Sequence, residues 1–167
     1  LKKIGLDAST TTVGYAFVDD KTVIDMGFIP INKEKTIRDK VQVTLESLNE
    51  LCPFKDVDKI YIEDSLSGFL HGRTSQQTII KLAKFNAVLT YCLEFAFGEI
   101  VDGVNPMTAR KNLFGKARKK GLSAKEFVKE EINSLYNVEE YVKLTKTGLW
   151  DKRNMDAYDA LVCALYE

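Results

Sequence analysis

Four carboxylates stand in this sequence where solvated surface charge is not expected. Asp7 closes the run Lys3-Ile4-Gly5-Leu6, Glu63 closes Ile60-Tyr61-Ile62, and Asp156 and Asp159 interrupt a stretch rich in alanine and leucine. The three-residue interval between the last two places them on one helical face, a turn apart. Acids that converge repel one another and hold protons near neutral pH unless a cation compensates. A hard divalent ion that prefers oxygen, magnesium with manganese as its substitute, suits them. Because magnesium usually takes only one or two carboxylates, four acids suit two ions. Two ions about 3.5–4 Å apart can activate a water and stabilise the leaving oxygen during in-line attack on a phosphodiester. The chain offers no other catalytic kit. His71 is the single histidine and has no evident partner, and neither a Gly-x-Ser-x-Gly elbow nor a Walker A loop occurs. No organic cofactor is expected.

Each acid also has a plainer role open to it. Asp7 before Ala8-Ser9-Thr10 suits a turn, Asp156 suits an exposed pair with Arg153, and Glu63 suits a strand-end surface position. Asp64 is set aside, because adjacent strand residues point to opposite faces.

A basic window adds a second kind of chemistry. Lysine and arginine balance aspartate and glutamate at 24 each, yet no acid occurs between Gly103 and Lys125. Arg110, Lys111, Lys116, Arg118, Lys119, Lys120 and Lys125 all fall inside that window. Such a run either neutralises phosphates and releases their counterions or forms a solvated charged loop.

The elements that must position these groups are legible from periodicity. Lys3–Asp7, Val13–Val18 and Thr22–Ile31 read as three strands of a meander. Ile37, Val41, Leu45, Leu48 and Cys52 mark one face of a helix over Thr36–Cys52, which Pro53 ends. Val57–Glu63 reads as a strand, and 64–74, with Gly68 and Gly72, as a loop. A long helix over Ser75–Phe97 has Ile79, Leu82, Phe85, Leu89, Cys92 and Ala96 on one face, with Val88, Leu93 and Phe95 partly outside it. That apolar arc is wider than one core contact needs, so the helix is either sandwiched in the domain or used for dimerisation. Ile100–Val104 reads as a strand, Asn105-Pro106 opens a helix towards Phe114, and Ser123 with Glu126 forms a capping box for the next. A last helix is expected over Arg153–Tyr166. This order implies an α/β mixed sheet, three antiparallel strands then parallel ones, with helices on both faces in a single domain over 1–167.

With these residues in place, the chain resembles the RuvC-type Holliday junction resolvases of the ribonuclease-H-like superfamily, and those of phages in particular. Lys3-Ile4-Gly5-Leu6-Asp7-Ala8-Ser9-Thr10-Thr11-Thr12-Val13-Gly14-Tyr15-Ala16 is similar to their opening strand and hairpin. Tyr61-Ile62-Glu63-Asp64 resembles their second acidic motif, and Asp156-Ala157-Tyr158-Asp159-Ala160-Leu161 their terminal acidic pair. The resemblance implies a ribonuclease-H-like fold, metal ligation by Asp7, Glu63, Asp156 and Asp159, and a homodimer that nicks both sides of a four-way junction. It also implies dimer contacts through the helix at 75–97 and junction phosphates against Arg110, Lys111, Lys116 and Lys125. The chain departs from the family at the aromatic wedge expected shortly after the second acid. Here Leu66 stands three residues on and the aromatic comes later as Phe69, so either inserts between bases or packs within its loop.

Three rivals remain at this level. Asp7-Ala8-Ser9-Thr10-Thr11-Thr12 is also similar to the phosphate loop of sugar kinases and actin-like ATPases, which need two such domains and leave Asp156 and Asp159 unexplained. The others are a non-catalytic DNA-binding relative and a nuclease of the same fold acting on forks, flaps or RNA-containing hybrids. Apolar runs are too short for a membrane span, and Cys52, Cys92 and Cys163 are dispersed and odd in number, so a cytoplasmic protein with buried, reduced thiols is expected.

Overall fold

The computed structural model describes residues 1–64 and 75–166. Leu66, Phe69 and His71 lie outside the described residues. Strands β1 (Lys2–Ala8), β2 (Thr12–Asp19) and β3 (Thr22–Pro30) form the antiparallel meander, while β4 (Lys59–Glu63) and β5 (Val101–Val104) add in parallel on the other side of β1. The order across the sheet is β3-β2-β1-β4-β5. The register aligns Asp7 with Gly14, and Gly14 with Phe28; Glu63 follows the pair Ile62–Leu6 and is itself paired with Val104. Phe28, Gly14, Asp7, Glu63 and Val104 therefore form one row across the sheet, at the carboxyl ends of β1, β3, β4 and β5.

Helices cover both faces, as the strand and helix order implies. Helices α1 (Ile37–Leu51) and α2 (Gln76–Phe97) bury Val41, Leu48, Phe85, Leu89 and Leu93 against Ile4, Leu6, Tyr15, Phe17, Ile60 and Ile62. On the opposite face α5 (Asn154–Ala164) lies against β1 and β2, with α3 (Pro106–Phe114) and α4 (Ala124–Leu135) packed around it through Ala109, Phe127, Val128 and Ile132. Helices α1 to α4 start on capping side chains, of which the sequence signals Asn105 and Ser123. Thr36, Ser75 and Asn105 accept from the first-turn amides of α1, α2 and α3, and Ser123 with Glu126 closes a full capping box.

Several boundaries differ from the sequence reading. Strand β4 starts at Lys59 rather than Val57, and α5 stops at Ala164. The buried face of α2 runs through Leu93, which periodicity places partly outside it, whereas Ala96 is exposed. Cys163 is buried but Cys52 and Cys92 are only half-buried, and none of the three is in a disulfide. Residues 136–152, for which the sequence gives no element, hold a 3-10 turn at Glu139–Tyr141 and a small hairpin closed by a Leu144–Trp150 bridge. No helix among the described residues is long and apolar enough to cross a membrane.

Candidate metal centre and active site

Asp7 and Glu63 come from neighbouring parallel strands at one level, so their side chains emerge side by side on the face that α5 covers. Bringing Asp159 down to them requires α5 to approach the sheet backbone very closely. Gly5 and Gly14 permit this, since a Cβ at Gly5 would stand 2.1 Å from the Ala160 carbonyl oxygen and one at Gly14 2.0 Å from that of Asp156. Ala157, Ala160 and Ala164 supply the matching small side of the helix. One carboxylate oxygen from each of Asp7, Glu63 and Asp159 lies within 4.8 Å of the other two.

Asp156 is not one of these three, although it is near enough for its charge to raise Asp7. Its carboxylate accepts from Lys125 Nζ at 3.1 Å, and the pair with Arg153 that the sequence suggests is replaced by a forked Arg153–Asp151 pair, Nη2 to Oδ2 at 2.6 Å. Asp64 is exposed at the end of β4 and lies outside the three-acid group.

Electrostatics mark the site as charge-deficient. Asp159 is buried, whereas Asp7 and Glu63 each keep an edge open to solvent although protein crowds most of the carboxyl. Burial first, then the charges of Glu63, Asp159 and Asp156, raises Asp7 well above the usual carboxylate range. Burial and the charge of Asp159 push Glu63 up to about 7. Burial likewise raises Asp159, though Arg110 and Lys125 oppose it. Two cations thus answer four carboxylates. Arg110 reaches Asp159 from α3 at 3.3 Å with its side chain only 11 % exposed, and its buried Nε finds no acceptor among the described residues. An all-oxygen, crowded, under-compensated cluster open on one side fits a hard divalent cation.

A measurable consequence concerns stability. Glu63 is protonated more readily in the fold than in the unfolded chain. The stabilisation from its bound proton is therefore complete below about 4.5 and lost as pH rises through about 7. In chelator, the melting temperature is expected to fall between about pH 5 and pH 8, and magnesium should raise it most at the alkaline end. A profile flat in pH and indifferent to magnesium would remove the metal assignment.

Sequence reasoning assigned Arg110 and Lys125 to phosphate but gave no hint of their pairing with the acids. A usable signal existed for Lys125. It sits in the first turn of α4, where a positive charge opposes the helix dipole and so suggests a dedicated anionic partner. Of the remaining basic window, Lys111, Lys116, Arg118, Lys119 and Lys120 are exposed. Lys116 and Lys119 pair with Glu131 and Glu130 of α4, both at 2.9 Å.

Comparison with solved structures places this architecture. The chain is similar to Thermus thermophilus RuvC, with a TM-score of 0.61, 19% identity, and coverage of 99% of this chain and 92% of that one. The same organism's RuvC in complex with Holliday junction substrate gives a TM-score of 0.64 at 17% identity, covering 99% and 91%. The yeast mitochondrial Holliday junction resolvase Ydc2 gives 0.51 at 14% identity, covering 97% and 79%. No family model matches the sequence. No curated protein matches it either. The chain therefore has the RuvC fold, a ribonuclease-H-like α/β arrangement, across nearly its whole length.

Proposed function

We propose that this chain is a structure-selective DNA endonuclease that cleaves four-way junctions by metal-dependent phosphodiester hydrolysis. The observation that carries the reading is the meeting of Asp7, Glu63 and Asp159 within 4.8 Å at the carboxyl ends of β1 and β4 and on α5, in a fold shared with junction resolvases. Asp7, Glu63 and Asp159 would hold the metal, with Asp156 as a fourth ligand once Lys125 turns away. Two magnesium ions bound there would supply an activated water and charge stabilisation for the leaving oxygen. Arg110 opposes protonation of Asp159 and orients it, and Lys125 reaches the rim of the site from α4, where a phosphate would approach. Lys111, Lys116, Arg118, Lys119 and Lys120 would take backbone phosphates beyond it.

A two-fold arrangement follows from the substrate and from α2. Ile80, Val88, Tyr91 and Phe95 are exposed along one line of that helix, Phe95 by 87 %. An apolar stripe of this size on a helix suits a second copy of the chain, and a dimer would present two sites to the two strands of a junction.

Cleavage of a labelled four-way junction beside a linear duplex of the same sequence, with magnesium and with chelator, tests the proposal. Symmetric, magnesium-dependent nicks confined to the junction are expected. Equal cutting of forks or flaps would favour the same chemistry on a broader class of branched DNA, and absence of cutting on every substrate would end the nuclease reading.

A further inference from the structure

The hairpin at 143–151 belongs to neither the acid cluster nor the basic window, yet it is rigidly tied to the helix that carries two of the acids. Asn154, in the first turn of α5, accepts from the Lys143 amide at 3.0 Å and donates to the Lys143 carbonyl at 2.7 Å. The Asp151 amide donates to the same carbonyl at 3.2 Å, and the Asp151–Arg153 fork locks the junction of hairpin and helix. Trp150 packs inward with Lys129 Nζ 4.3 Å above its ring. Lys129 and Lys125 are four apart on α4, so one helix face holds both the hairpin and Asp156.

Its position is as specific as its attachment. Lys143 and Arg153 lie over the ring of Phe28, at 5.0 and 4.6 Å. Phe28 belongs to the same row of the sheet as Asp7, two strands away, which is about 10 Å. The hairpin thus stands over the β3 edge, while the basic window follows β5 at the opposite edge, with the acids between.

The outer surface is basic and apolar together. Lys146 and Lys152 are exposed and have no ion-pair partner among the described residues. Asp151, the one acid in 143–153, is already paired with Arg153. Leu149, next to Trp150, is 68 % exposed.

We propose that this hairpin is a second DNA-backbone contact, which takes the duplex arm on the β3 side of the scissile phosphate. Lys146 and Lys152 meet successive phosphates, and Leu149 lies against the sugars between them. Since the hairpin is fastened to α5, seating of that arm sets the position of Asp159 relative to the phosphate. The inference rests on the nuclease reading above and adds to it the face that holds the second arm.

The test measures junction affinity against salt, with calcium in place of magnesium to prevent cutting, for wild type, Lys146→Ala/Lys152→Ala and a control. Lys55→Ala/Lys59→Ala is the control, because both residues are exposed and Lys59 begins β4 at the end of the sheet away from Glu63. Loss of two phosphate contacts should lower the slope of log affinity on log salt by about two and weaken binding about tenfold, with the control unchanged. Trp150 is the single tryptophan, so its emission, excited where tyrosine does not absorb, should change when the junction binds. A hairpin variant whose slope and affinity match wild type, or a control that loses as much, overturns the proposal while leaving the nuclease reading standing. A wild-type chain that neither binds nor cuts DNA brings down both.

Discussion

Asp7→Asn is expected to abolish junction cleavage, by at least about a thousandfold, while making the metal-free protein more stable. The first effect follows because a neutral amide would be a poor substitute for an anionic metal ligand, and loss of one member of an interdependent set removes most of the rate. The second follows from the electrostatics. The Asp7 carboxyl is crowded by protein and by Glu63, Asp159 and Asp156, so the ionised form opposes folding, and an isosteric neutral group relieves that opposition. Nicking of a labelled junction in magnesium and thermal melting in chelator at about pH 8 measure the two effects. Junction binding in calcium should persist, since the phosphate contacts lie elsewhere. A variant that cuts normally would show that the acid cluster is not the active site, and one that loses both activity and stability would show that Asp7 serves folding instead.

The second large effect concerns a residue without a side chain. Gly14→Ala would put a methyl group 2.0 Å from the Asp156 carbonyl oxygen, which is helix backbone and cannot rotate away. Helix α5 must then lift from β2, loosening the core around Ala157, Ala160 and Leu161 and carrying Asp159 away from Asp7. A loss of about 3 kcal/mol is expected, at the upper end of what overpacking costs. Gly103→Ala is the matched comparison, since the same methyl group on β5 meets nothing within 4 Å, and it should change stability by less than about 0.5 kcal/mol. Urea midpoints for the two variants decide the matter. Equal effects would mean that α5 does not rest on β2 as described.

Much of the architecture was legible because the local signals agree. Asn105-Pro106 and Ser123 with Glu126 announce helix starts through side chains that satisfy first-turn amides, and periodicity alone begins the other two helices at Thr36 and Ser75, which the structure shows to be their caps. Alternation gave the meander to within a residue or two. The hairpin over 143–151 was missed although Thr145-Lys146-Thr147-Gly148 is turn-like, because its strands are too short to show a period. The last turns of α2 were misjudged for a related reason, with Leu93 buried and Ala96 exposed. A helix with so wide an apolar arc has no unique inward side until a sheet and neighbouring helices choose one.

The identity of the acids is a property of the sequence. Charged residues at the ends of apolar runs and inside an alanine-rich helix are conspicuous because burying them costs too much to happen without a purpose. What the sequence alone could not determine is which of them meet. Asp7, Glu63 and Asp159 come within 4.8 Å of one another because strand register sets Asp7 beside Glu63 and the glycine seam lets α5 lower Asp159 onto both, while Asp156, near enough for its charge to raise all three, is held by Lys125. Arg110 and Lys125 likewise changed from members of a basic window to partners of those acids only when α3 and α4 packed against α5. Convergence depends on contacts between residues far apart in the chain, and local propensity carries no record of them.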